Sequence, residues 1–307
     1  MVVNNDDSYG TDMVRPLFTL LATLSLAACG NTEAKAPATA ARPALWKVAD
    51  ADTTVYLFGT IHLLPKGLKW TTPAMTKAMA ASQSLVLEVA LDKDPAVLGA
   101  VMMKLAKTKG LPPILDRVDP SKRAVLKKVI AESSLSLTYL DGLETWAATL
   151  GIASALNGKL DLSYAEGAEQ QLTTAFEKMG KPVGGLETAK QQLGYFDALP
   201  EAAQRKFLTS VADDSADAGK EFAAMIAAWK SGNVQRIAIT FDDEMKLSPE
   251  LAEVLLHRRN NTWAAWVSER MKRPGTVFVA VGAGHLAGDR SVDRLVARHG
   301  FKVVRVQ

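Results

Sequence analysis

Two of the four histidines stand three residues after a glycine at the end of an apolar run. His62 closes the segment Gly59–His62 (GTIH) after the run VYLF, and His285 closes Gly282–His285 (GAGH) after VFVAV. Both runs are typical of strands, and glycine at a strand exit allows the backbone to turn sharply. Because ligands of open α/β sheets bind outside the carboxyl ends of strands, the matched settings favour one shared site over two separate packing roles.

An acidic residue lies inside a third apolar run. Glu88 is the single charge of SLVLEVAL, residues 84–91, and a carboxylate is costly to bury unless it is paired or binds a cation. Two imidazoles and one carboxylate form a ligand set that holds Zn, Mn, Fe or Co and leaves positions open for water or substrate. A buried ion pair and a solvent-facing edge position stay open for Glu88. Glu187, at the end of VGGLE, suits either catalysis or the N-terminus of a helix.

The elements around these residues predict an α/β fold. Two β-prone runs, residues 44–50 and 53–62, flank an Asp-Ala-Asp turn and predict a hairpin. Helical patterns fill most of residues 95–271, and the last of them, Pro249–Met271, is the longest. Strand, helix and strand over residues 276–306 are consistent with a βαβ unit. We therefore predict a central mixed, partly parallel β-sheet with a large helical middle region.

The first 43 residues predict export rather than a folded domain. Residues 13–30, MVRPLFTLLATLSLAACG, join a basic residue, an apolar run and small residues before Cys29, which is typical of a signal peptide. The segment LAAC resembles the lipobox of bacterial lipoproteins, and an ordinary secretory signal is the alternative. We place the translation start at Met13, the signal peptide up to residue 29, a flexible tether over residues 30–43, and one domain over residues 44–307.

This N-terminus also predicts a location. A lipidated Cys29 anchors the protein to the cell envelope, facing the periplasm, and Gly30 rather than aspartate after the cysteine favours the outer membrane. Cys29 is the only cysteine, so no disulfide is expected within the chain. A formal charge of +3 over 307 residues, without a basic stripe interleaved with aromatic residues, argues against a nucleic-acid partner.

Five motifs resemble, in order, those of the TraB/GumN family, the group that also includes PrgY and the Tiki proteins. They are LFGTIHLLP, LVLEVA, GKPVGGLET, RRNNTWA and VGAGHL, and the resemblance runs from Trp46 to the C-terminus. It implies an α/β fold akin to the erythromycin-esterase and ChaN-like proteins. It also implies a metal-dependent hydrolase site in which His62, His285 and Glu88 hold a divalent metal, with Mn, Co or Zn as the cofactor.

The resemblance adds catalytic candidates. Arg259 and Asn260 match the family's Arg-Asn pair and are expected to hold a carbonyl or anion of the substrate, since a guanidinium suits planar recognition. Glu88 is expected to complete the ligand set or to act as general base, and Glu187 is a further catalytic candidate. Relatives carry glycine, an aliphatic residue and an acid where this chain has GAE, residues 167–169, and we assign no role to Glu169.

The sequence therefore predicts a lipid-anchored cell-envelope protein with a metal-dependent hydrolase site that cuts an amide or peptide bond of a peptide or other small substrate. The alternative is a non-enzymatic binding lipoprotein that sequesters a peptide, a haem-like ligand or a polysaccharide-assembly partner in the same pocket. The family does not define the substrate, and the sequence does not define the oligomeric state.

Overall fold

The first described strands form the predicted hairpin. The computed structural model describes residues 41–90, 94–107, 109–157, 162–214, 218–239 and 249–307, so the predicted signal peptide, Cys29 and nearly all of the tether lie outside the described residues. Strands β1 (Leu45–Ala49) and β2 (Thr53–Thr60) pair antiparallel. The Asp50 carboxylate closes their turn by accepting the backbone N–H of Thr53 at 2.8 Å.

Six strands form the central sheet. The strands that follow the hairpin are β3 (Leu64–Pro65), β4 (Ser84–Val89), β5 (Leu162–Ser163), β6 (Val183–Glu187), β7 (Gly275–Gly282) and β8 (Val303–Arg305). The order across the sheet is β6-β4-β7-β2-β1-β8, and β3 pairs with β5 in a separate ribbon. β6, β4, β7 and β2 are parallel neighbours, whereas β1 is antiparallel to both β2 and β8. The predicted α/β class with a mixed sheet is confirmed.

The parallel strands end at one edge of the sheet. Thr60 at the end of β2 lies beside Gly282 at the end of β7, and Val89 of β4 lies beside Glu187 of β6. Parallel strands share one direction, so their carboxyl ends meet at this edge. The ends of β4 and β6 lie there, and so do the segments that follow β2 and β7. The two Gly-x-x-His segments therefore emerge next to each other.

Helices cover both faces of the sheet and build the middle region. In chain order they are α1 (Pro73–Ala81), α2 (Pro95–Ala106), α3 (Arg123–Ser133), α4 (Leu137–Asp141), α5 (Thr145–Asn157), α6 (Ala168–Lys178), α7 (Ala189–Asp197), α8 (Glu201–Asp214), α9 (Ala218–Lys230), α10 (residues 234–239), α11 (Pro249–Ala252), α12 (Arg258–Arg270) and α13 (Val292–Arg298). None of the helices in the described part of the chain is long and apolar enough to cross a membrane.

The long helix predicted over residues 249–271 contains a wider turn. It begins as α11, passes through a π-helical turn over Glu253–His257 and continues as α12, with the N–H of Arg258 donating to the first carbonyl of that turn. A π-helical turn holds an extra residue, and such turns are frequent at functional sites. This one immediately precedes Arg259 and Asn260, which are both buried.

Aromatic packing holds the strand that leads to His62. Phe58 in β2 stacks on Trp70 with ring centroids 5.4 Å apart, and Trp229 packs edge-on against Phe58. The indole N–H of Trp229 donates to the carbonyl of Gly59 at 2.7 Å. All three rings are buried, so the exit of β2 is fixed by both apolar contact and a hydrogen bond.

Candidate functional site

The two Gly-x-x-His segments lie in direct contact. A Cβ atom on Gly59 would stand 3.1 Å from the Cα of Ala283, so glycine permits the close approach of the two backbones. Gly282 has a similar role, because a Cβ atom there would stand 3.1 Å from Oε1 of Glu88. A side chain at either position would therefore crowd the packing between the segments and the carboxylate of β4.

A buried arginine joins the acidic residues of two strands. Arg259 donates through Nε to Glu187 at 3.0 Å, through Nη2 to Glu88 at 2.6 Å and to Glu187 at 3.0 Å, and through Nη1 to the carbonyl of Leu255 at 2.9 Å. Its second Nη1 hydrogen faces Nε2 of His285 at 3.2 Å. The guanidinium has five N–H groups and all five have partners within the protein.

The protonation of His285 follows from its neighbours. Burial lowers the pKa of His285 to about 4, against the charge of Glu88, so the imidazole is neutral at neutral pH. Nδ1 lies 2.6 Å from Oδ1 of Asn260, whose amide nitrogen donates to the carbonyl of Arg290 at 2.9 Å. Because Arg259 can only donate, Nδ1 carries the proton and Nε2 keeps its lone pair. Nε2 lies 3.6 Å from Oε1 of Glu88.

Glu88 stays ionised although it is buried. Burial raises the pKa of Glu88, but His285, Arg259, the other site histidine and the N–H of Gly282 outweigh it and lower the pKa to about 2. Gly282 donates to Oε1 at 2.6 Å, and the side-chain amide of Gln192 donates to Oε2 at 3.1 Å. The structure therefore shows the buried ion pair that the sequence left open as an alternative for Glu88, and its predicted role as a metal ligand stays a prediction.

His62 stands apart from this cluster, at the rim. Its side chain is 61% exposed, and Nδ1 lies 2.6 Å from Oε1 of Glu169 in α6. Partial shielding of the ring from water lowers the pKa of His62, but the hydrogen bond and charge of Glu169, with the charge of Glu88, outweigh this effect and raise the pKa to about 9. Nδ1 is engaged by Glu169 and the ring is protonated at neutral pH, so a metal held at Nε2 would displace a proton.

His62 and Glu88 line one pocket of about 510 Å³. Its other polar walls come from α6, from the turn before it and from α7: Tyr164, Glu169, Gln170, Thr173, Glu177 and Gln192. The pocket opens at the edge of the sheet where the parallel strands end, which is where ligands of open α/β sheets bind.

The structure brings most of the predicted site residues together. One buried cluster contains five of the six predicted for the described part of the chain: Glu88, Glu187, Arg259, Asn260 and His285. Sequence reasoning gave no role to Glu169, which contacts His62, and none to Gln192, which contacts Glu88. Two features of the sequence point to these residues. Glu169 is an acid two positions after Gly167, and Gln192 lies about one helical turn after the segment GKPVGGLET.

The predicted metal ligands fit a divalent metal in their chemistry. His285 presents an unprotonated Nε2, and its 3.6 Å separation from Oε1 of Glu88 is near the about 3.4 Å between two ligands of one tetrahedral ion. The geometry of a complete metal site is not formed. Among the described residues, no group of three or more His, Cys, Asp or Glu is arranged to hold a metal ion. Nη1 of Arg259 faces Nε2 of His285, so a metal held there would take the place of that hydrogen bond.

These features define a class of α/β protein in which two Gly-x-x-His segments and two glutamates meet at the carboxyl ends of parallel strands. The model of the TraB/PrgY/gumN family matches residues 44–305, and the chain belongs to this family. It is similar to the protein YbaP of Escherichia coli (strain K12) and to YbaP of Shigella flexneri, each 23% identical over 241 residues, or 78% of this chain and 87% of the relative. No solved structure matches.

Replacing Arg259 tests the buried ion pairs. Arg259→Ala leaves Glu88 and Glu187 buried without a counter-charge, and we expect a loss of about 3–5 kcal/mol in the free energy of unfolding. Arg258→Ala is the matched control, because that side chain is 69% exposed and its loss should cost about 0–1 kcal/mol. Urea unfolding followed by circular dichroism measures both, and equal losses would contradict the assignment.

The two histidines predict opposite effects of pH on stability. The pKa of buried His285 falls from 6.5 to about 4, so the free energy of unfolding should fall as pH decreases below 6.5. Partial shielding from water lowers the pKa of His62, but Glu169 outweighs this effect and raises the pKa from 6.5 to about 9. The contribution of His62 to the free energy of unfolding is therefore complete below pH 6.5 and should be lost as the pH rises to 9. Urea unfolding with a chelator from pH 4.5 to 9 should show a maximum near 6.5. His62→Ala should flatten the alkaline side alone.

Proposed function

We propose that the protein is a hydrolase of the cell envelope that cleaves an amide or peptide bond in the pocket lined by His62 and Glu88. The observation that carries this proposal is the convergence of a neutral imidazole and an ionised carboxylate, 3.6 Å apart, beside a pocket of about 510 Å³. Perturbed ionisable groups in a cleft are typical of functional sites. The pocket is large enough for part of a peptide.

The proposal includes a divalent metal, Mn, Co or Zn, which His62, His285 and Glu88 would hold. When bound, such an ion polarises a carbonyl group and lowers the pKa of water from 15.7 to about 7. The protein already holds two of these ligands in the required state, because the His285 imidazole is neutral and Glu88 is ionised.

The other site residues orient these groups. Arg259 and Gln192 bind Oε2 of Glu88 and thereby leave Oε1 on the side of His285. Asn260 holds the His285 ring through Nδ1, and Glu187 balances the charge of Arg259. In this proposal Arg259 contacts a substrate carbonyl only by exchanging one of its present hydrogen bonds.

Metal content and hydrolysis test the proposal together. The full chain, prepared without a histidine tag, is loaded with Mn, Co or Zn and assayed by mass spectrometry of metals and by cleavage of a peptide library. We expect close to one metal ion per chain, and cleavage that a chelator removes and added metal restores. His62→Ala combined with His285→Ala should remove both.

His299→Ala is the control, because His299 is exposed and pairs with Ser268 outside the site. It should keep metal and cleavage. A chain that takes up no metal and cleaves no peptide under any loading would contradict the hydrolase proposal. The alternative, a non-enzymatic binding lipoprotein, would then explain the site better. A closed site favours that alternative, and the internally paired Arg259 cluster is closed in this sense.

The proposal also places the protein on a membrane through lipid at Cys29. Two acyl chains give stable anchoring. Cells fed labelled palmitate should incorporate the label into the wild type and not into Cys29→Ser. Asn31→Ser in the tether is the control and should be labelled like the wild type. Immunoprecipitation followed by fluorography measures all three proteins, and a wild type without label would contradict the lipid anchor.

A further inference from the structure

The start of α6 is docked on the backbone that carries His62. The N–H of Ala168 donates to the carbonyl of Ile61 at 3.0 Å. A Cβ atom on Gly167 would stand 2.1 Å from the carbonyl oxygen of His62, so only glycine allows this contact. The first turn of α6 is therefore fixed with respect to His62.

Glu169, in that first turn, binds both the strand end and the histidine. Its Oε1 accepts the hydroxyl of Thr60, the last residue of β2, and lies 2.6 Å from Nδ1 of His62. Thr60 is 2% exposed, so the carboxylate is attached to a buried part of the sheet. The exposed imidazole is thus held by a carboxylate whose own position is fixed.

Glu169 carries an unsatisfied atom that folding alone does not explain. Its Oε2 is buried and has no hydrogen-bond partner in the described part of the chain. A buried carboxylate oxygen without a partner costs stability. A neutral residue at this position would avoid that cost, which is consistent with an acid retained for its effect on His62.

The second histidine has the same arrangement on a different helix. Nδ1 of His285 is held by Oδ1 of Asn260 in α12, as Nδ1 of His62 is held by Glu169 in α6. In both cases the oxygen engages Nδ1, so Nε2 is the second ring nitrogen; at His285 it accepts an N–H of Arg259. Histidines that bind metals donate their other ring N–H to an oxygen acceptor in this way, which orients the ring.

We propose that Glu169 is the positioning residue of His62: it holds Nδ1, as Asn260 holds Nδ1 of His285, and thereby directs Nε2 of His62 into the pocket. The inference rests on the proposed function in that the oriented Nε2 is offered to the metal. In this proposal Glu169 acts through His62 and Thr60, which both contact its Oε1.

Two measurements on the full chain test this role. Co²⁺ titration by calorimetry should give a dissociation constant about 10- to 100-fold weaker for Glu169→Ala than for the wild type. In metal-free protein with ¹⁵N-labelled histidine, proton–nitrogen correlation spectra should show the hydrogen-bonded Nδ1–H of His62. That signal should be absent from Glu169→Ala and from His62→Ala.

Glu177→Ala is the matched control. Glu177 lies on the same helix and lines the same pocket, so its removal takes away the same charge two turns from Glu169. It should keep the Nδ1–H signal and a dissociation constant within about threefold of the wild type. Equal weakening in both variants would show a general effect of charge and overturn the inference.

The two proposals fail in different ways. A wild type that binds no Co²⁺, Mn²⁺ or Zn²⁺ overturns the metal-dependent function, and the Nδ1–H signal still decides the role of Glu169. A signal that persists in Glu169→Ala overturns the positioning role, whatever the metal affinity. Glu169→Gln, which keeps an acceptor oxygen, should retain the signal and bind Co²⁺ more tightly than Glu169→Ala.

Discussion

The buried guanidinium of Arg259 is the interaction on which the site depends. It lies between Glu88 and Glu187, which end neighbouring strands, and it uses every N–H group within the protein. Two buried carboxylates without this cation would carry a large desolvation cost. The wider helical turn before α12 and the parallel register of β4 and β6 are therefore coupled, because both are needed to bring the three charges together.

The site has a closed part and an open part with different electrostatics. In the closed part, Arg259 pairs with Glu88 and Glu187 beside a neutral His285, and Trp263 packs on that ring with centroids 4.4 Å apart. In the open part, His62 and the pocket are accessible to a ligand. Glu88 belongs to both, since it is bonded to Arg259 and lines the pocket. This position explains why its ionisation matters for the proposed chemistry.

Much of the fold follows from local patterns. The hairpin, the strand around Glu88 and the final strand–helix–strand segment are set by runs of apolar residues and by turn residues, which act over a few positions. The π-helical turn over Glu253–His257 was not predicted, because its apolar spacing resembles that of a regular helix. The role of Glu169 was missed for a similar reason, since an acid close to a glycine does not indicate which residue it contacts, here a histidine 107 residues earlier.

The sequence by itself determined the family, the α/β class and the residue types of the site. Histidine and glutamate are costly to bury in apolar surroundings unless they are paired or bind a ligand, so their position at the ends of apolar strands indicates a site. Only the tertiary structure decided their partners. Arg259 was expected to face substrate, and it is enclosed by the protein; His62 and His285 were expected to be equivalent, and one is at the rim while the other is buried. The physical reason is that hydrogen bonds and charge pairs act across space, between residues that the chain order keeps far apart.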